Sequence, residues 1–156
     1  MRAPIRAQAG FTITELMIVV AIVGVIAAIA APNMGEMIRR QRVKTAAFDV
    51  YAGLTHARSE AIKRNVTVNV SPVSGDWAQG FVVIDVNNRT VRTQQGFNSI
   101  TATGPSVITF NNSGRLTAGS TARISLVAAD VASAEHGKRC VYVETTGRAS
   151  TKEGAC

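Results

Sequence analysis

The sequence predicts an α+β fold: a long N-terminal α-helix, its first half membrane-spanning, with its second half packed on a small antiparallel β-sheet head. Three observations predict it. An apolar run extends unbroken from Leu16 to Ala31. An amphipathic stretch of helical period follows it to Arg64. From Asn65 onward apolar and polar residues alternate between turn signals, which is the period of strands. A helix first and strands after, in separate blocks, is the α+β arrangement. The boundaries read as a leader over 1–10, a span over 11–32, an amphipathic stem over 33–64 and a β-rich head over 65–156.

Residues 1–10 carry Arg2 and Arg6 and no acid, and residues 11–31 contain one charge, Glu15. About 20 apolar residues cross a bilayer as a helix, the one conformation of such a segment that satisfies its own backbone. Three readings fit this segment. It is a secretory signal peptide with a small-residue cleavage site at Ala28-Ile29-Ala30, or an uncleaved anchor, or a segment cut ahead of the apolar run so that the helix is kept. Glu15 separates them. A carboxylate at the start of a membrane segment is costly and needs a partner. Cleavage after Gly10 would create a positive amine at Phe11, and the amine of a neighbouring subunit would pair with Glu15. Arg39, Arg40, Arg42 and Lys44 follow the span and outnumber the leader's arginines, so the positive-inside tendency alone favours the opposite orientation.

In the stem, Val43, Ala47, Val50, Leu54, Ala57 and Ala61 recur at spacings of four and three, with Asp49, His56, Glu60 and Lys63 on another face. That is one apolar stripe on a helix. Asn65 suits the left-handed residue that ends it. The strands expected are Val66–Val70, Phe81–Val86, Arg89–Thr93, Val107–Phe110, Ala122–Val127 and Arg139–Val143, with a hairpin turn at Asn87-Asn88.

The 156 residues carry 17 Lys+Arg against 10 Asp+Glu, a net +7. All of the bases except Arg2 and Arg6 follow Pro32. A basic balance admits anionic partners without fixing the fold. The two His and two Cys show no metal-ligand spacing, and no catalytic motif is present, so neither a metal, a cofactor nor an enzymatic activity is expected. If the head lies outside the cytoplasm, Cys140 and Cys156 form a disulfide; in a reducing compartment they are free thiols. Lys138, Arg139, Arg148 and Lys152 fall in or just before the segment this disulfide would close. As a basic loop they would meet phosphates electrostatically, without reading sequence.

The stretch Gly10-Phe11-Thr12-Ile13-Thr14-Glu15-Leu16 resembles the signature of type IV pilins and type II secretion pseudopilins. In the head, Leu54–Asn65, Trp77–Val83, Ile108–Arg115 and Arg139–Arg148 occur in the order seen in the GspH/FimT family, a resemblance spanning nearly the whole chain. It implies a minor type IV pilin, or else a minor pseudopilin of type II secretion. It implies that a prepilin peptidase cuts after Gly10 and that the Phe11 amine is methylated. It also implies residence in the inner membrane with a periplasmic head, then assembly with other pilins or pseudopilins into a pilus or pseudopilus. Some members of this family bind double-stranded DNA in natural transformation through a G-R-x-R motif. Here Gly147-Arg148-Ala149-Ser150 supplies the first arginine and not the second, with Lys152 two residues on.

Overall fold

The computed structural model describes residues 10–129 and 137–156, without the side chains of 29–33. The leader apart from Gly10 lies outside the described residues. The chain divides into two units, Met1–Met37 and Ile38–Cys156.

Helix α1 runs over Ile13–Arg64. It begins where Thr12 Oγ1 accepts the Glu15 backbone N–H at 3.2 Å, an N-cap bond that satisfies one of the helix's orphan donors. It ends at Asn65, whose φ of 55° is the expected left-handed stop. In the first unit Phe11, Ile13, Leu16, Met17, Ile18, Val19, Val20, Ile22, Val23, Val25 and Ile26 are all exposed. They surround the helix rather than forming one stripe, so among the described residues of this unit the helix has no buried face. Among the described residues no helix is long and apolar enough to cross a membrane. The apolar run closes on residues whose side chains lie outside the description.

Among the described residues the second unit has eight strands in two antiparallel sheets. Strands β1 (Val68–Pro72), β2 (Gly80–Asp85), β3 (Thr90–Gln95) and β5 (Ile108–Phe110) form one sheet in the order β3-β2-β1-β5. Strands β4 (Ile100–Thr103), β6 (Ala122–Ala128), β7 (Lys138–Val143) and β8 (Ala149–Glu153) form the other, ordered β4-β6-β7-β8. The fold is the α+β arrangement expected. The head differs in having two sheets, and in strands β4 and β8. Ile-Thr-Ala-Thr is only four residues long with alanine as its second apolar position, and Ala-Ser-Thr-Lys-Glu has no apolar alternation; edge pairing against β6 and β7 makes them strands.

The helical stripe is the core. Val43, Ala47, Val50, Leu54, Ala57 and Ala61 are buried, joined by Ala46, against Val68, Val70, Phe81, Val83, Phe110, Ile124, Leu126, Val141 and Val143. The small residues allow close approach. At Gly53 the Phe81 ring occupies the space a methyl group would need. Trp77 is anchored through Nε1 donating to Pro105 O at 2.9 Å, the partner a buried indole requires.

Candidate functional site

Two regions hold the residues singled out by sequence. The first is the helix start. Gly10 and Phe11 precede α1, and Phe11 is 80% exposed. Thr12-Ile13-Thr14-Glu15 has the spacing of a capping box, in which the acid would reach back to the Thr12 N–H. Only half of the box is made: the Thr12 hydroxyl accepts from Glu15 N–H. The Glu15 carboxylate is exposed and has no partner among the described residues. It lies in the first helical turn, where the macrodipole favours a negative charge.

The second region is the C-terminal hairpin. Strands β7 and β8 pair with the register Arg139↔Glu153, Cys140↔Lys152, Val141↔Thr151, Tyr142↔Ser150 and Val143↔Ala149. Cys140 and Cys156 form a disulfide with Cα atoms 5.0 Å apart. The basic segment is therefore a hairpin rather than a loop, and its alternation disperses the four bases. Arg139 shares the face of buried Val141 and Val143, and its Nη2 lies 3.8 Å from Glu153 Oε2. Lys138 and Lys152 share the opposite face as diagonal neighbours, since Lys138 O accepts from Gly154 N two pairs beyond Cys140↔Lys152. Arg148 follows the turn at the other end of β7, five residues or about 17 Å from Lys138. The four residues do not converge on one site.

Glu60, expected on the polar face of the helix, is only 9% exposed. Asp85 is 6% exposed because it continues the inward alternation of Phe81 and Val83 on β2. Arg64 joins them, its Nε contacting Glu60 Oε2 at 2.6 Å and its Nη1 lying 3.6 Å from Asp85 Oδ2. Asp85 also accepts the backbone N–H groups of Asn87 and Arg89 at 2.9 and 3.0 Å. The i, i+4 spacing of Glu60 and Arg64 signals their own pair. Nothing local signals Asp85, which folding brings from another element.

A helix whose first-turn acid has no partner among the described residues, and whose stretch from Val43 to Ala61 packs into the core of a β head, defines the pilin-like class. The chain belongs to the GspH family, described as type II transport protein GspH, which matches residues 46–147. The prokaryotic N-terminal methylation motif matches residues 5–31. A fimbrial protein of Pseudomonas aeruginosa is 39% identical over 77 residues, covering 49% of this chain and 50% of the relative. A fimbrial protein of Moraxella nonliquefaciens is 54% identical over 41 residues, covering 26% and 27%. The chain thus spans about half the length, or less, of the curated relatives it matches. Among solved structures, the type IV minor pilin FimU of Pseudomonas aeruginosa has a TM-score of 0.64 at 21% identity, covering 72% of this chain and 90% of that one. The minor pseudopilin EpsH of the type 2 secretion system of Vibrio cholerae has a TM-score of 0.57 at 12% identity, covering 72% and 97%. At these identities the likeness is one of fold.

Proposed function

We propose that this chain is a minor type IV pilin, assembled into or at the tip of a pilus. The observation that carries it is the pairing of a methylation motif over residues 5–31 with a head of the GspH family on one continuous helix. In this reading a prepilin peptidase removes residues 1–10 and Phe11 receives the methyl group. Residues 11–32 hold the subunit in the inner membrane with its head in the periplasm. The exposed apolar surface from Phe11 to Ile26 is later covered by the helices of other subunits, and Glu15 pairs with a neighbour's N-terminal amine. The fimbrial names of the relatives favour the pilus. The alternative, a minor pseudopilin with a structural role in type II secretion, is supported by the family description and the EpsH likeness.

The test is to shear surface filaments from cells expressing the full chain and from cells expressing Glu15→Ala. The wild-type chain is expected in the filament fraction, and the variant is expected processed but retained in the membrane. Equal incorporation of the variant removes the pairing argument. Absence of the wild type from pili, with a secretion defect on its deletion, favours the pseudopilin.

A second reading, non-specific contact with double-stranded DNA in natural transformation, is supported by the shared outer face of Lys138 and Lys152 and by Arg148 in the Gly147-Arg148 turn. Loss of transformation on deletion, with pili intact, is its expected phenotype.

A further inference from the structure

The buried stripe of α1 steps back from Ala61 through Ala57, Leu54, Val50, Ala47 and Val43 at spacings of four and three. One further step of four reaches Arg39. A side chain that continued the core there would be apolar. Arg39 is instead half-buried, and its Nε is buried with no acceptor among the described residues. Two more bases, Arg42 and Lys44, flank Val43 and are exposed. At about 100° per helical residue the three fan across the side of α1 that carries the stripe.

Two clefts show where the fan opens. Arg42 lines one of them with Ile38, Asp49, Gln94 and Asn98. Lys44 lines the other with Gln41, Arg139 and Thr151. At about 460 and 370 Å³ both have room for a small polar group. The bases thus stand on both flanks of the helix at the end where the chain enters the second unit, at Ile38. Their charges do not cancel. Arg39, Arg42 and Lys44 have no ion pair among the described residues. Of their neighbours, Glu36 and Arg40 are of opposite sign and both engaged, and Arg139 lies 3.8 Å from Glu153. Asp49 offsets one of the three bases at most.

We propose that Arg39, Arg42 and Lys44 form a collar for the phosphate headgroups of anionic lipids, in the leaflet that the head faces. The inference rests on the membrane-held form proposed above and adds a lipid class to it. Bases placed just beyond a span on the translocated side run against the usual charge asymmetry, and a phosphate layer on that side gives them a partner. Seven residues separate Pro32 from Arg39, so the chain keeps Arg39 within about 25 Å of the span's end. Helical side chains lean toward the helix N-terminus, which is the end that leads to the span. Guanidinium forks match phosphate oxygens in pairs, and the Lys44 ammonium adds a point charge. An anionic leaflet attracts each such base about fivefold. The spread of the bases over both flanks also favours lipid over one acidic protein patch, because a leaflet surrounds the helix whereas a neighbour covers one side.

The test reconstitutes the full chain in phosphatidylcholine vesicles with a trace of spin-labelled phosphatidylglycerol or spin-labelled phosphatidylcholine, and reads the immobilised fraction of each by electron spin resonance. The wild type is expected to favour phosphatidylglycerol at least about fivefold at low salt, and to lose the preference near 1 M salt, where the screening length falls to about 3 Å. Combined Arg39→Gln, Arg42→Gln and Lys44→Gln is expected to bring the two lipids to parity. Arg39→Lys with Arg42→Lys, and separately Arg2→Gln with Arg6→Gln in the leader, are expected to keep the preference. A lowered melting temperature of the triple Gln variant moves the comparison to Lys44→Gln alone, an exposed position that must then weaken the preference. Parity in the wild type overturns the collar and leaves the filament reading standing; if the triple Gln variant then fails to enter filaments, the bases belong to an acidic neighbouring subunit. Loss in the leader variant alone also overturns the collar. Release of phosphatidylglycerol by inorganic phosphate at constant ionic strength shows an ion site and overturns the choice of lipid. Absence of immobilised lipid of either kind shows that the helix is not in the bilayer, and removes the reading on which the collar rests.

Discussion

Arg64, in the last turn of α1, lies 3.6 Å from Asp85 at the end of β2 while holding Glu60 one helical turn back. One guanidinium thereby neutralises two buried carboxylates and ties the helix end to the turn that carries Arg89. Removing one member of a buried ion pair leaves uncompensated charge, and the exposure of part of Arg64 moderates the cost. Arg64→Ala is expected to destabilise the head by about 2–3 kcal/mol in denaturant titration. Adding Glu60→Gln and Asp85→Asn to that variant is expected to recover part of the loss, because the stranded charges are gone. An Arg64→Ala protein as stable as wild type would show that the pair carries no net stability.

Gly147 combines a φ of 81° with direct contact on the Gly114 carbonyl. Gly147→Ala adds backbone strain and a collision that backbone must absorb, and is expected to cost about 2–4 kcal/mol. Gly119 also has a positive φ, 67°, but open space around its Cβ position. Gly119→Ala is therefore expected to cost about 1 kcal/mol. Thermal melts of the two variants side by side check this, and equal losses would mean that the contact between the turns adds nothing.

The Cys140–Cys156 bridge closes a segment with a sequence separation of 16 and fixes the end of β8, an edge strand with charged, exposed residues. Loop-closure entropy gives such a link about 3 kcal/mol. Reduction is expected to lower stability by that amount and to release amide protection first in β8. Protection in β8 that survives reduction would assign the strand's stability to pairing with β7 alone.

Much of the fold was legible because its signals are local. The alternation of spacings four and three from Val43 to Ala61 gives the buried stripe residue by residue, and Asn65 marks its end. Asn87-Asn88 marks the first hairpin. Strand β8 was not legible: Ala-Ser-Thr-Lys-Glu has no apolar alternation, and its pairing is imposed by β7 and the disulfide. The hairpin in turn separates Arg139 from Lys138 and Lys152, which proximity in sequence had grouped. The reverse holds for Lys44 and Arg139. They are far apart in sequence, and only the packing of β7 and β8 beside α1 brings them to one cleft.

A helix that is kept after processing carries its new N-terminus at Phe11. The most direct measurement is the N-terminal sequence and intact mass of the full-length gene product purified from membranes of cells carrying their prepilin peptidase. The expected product is a chain that starts at Phe11 with one methyl group on its amine. A chain starting at Met1, or just after Ala30, would contradict it.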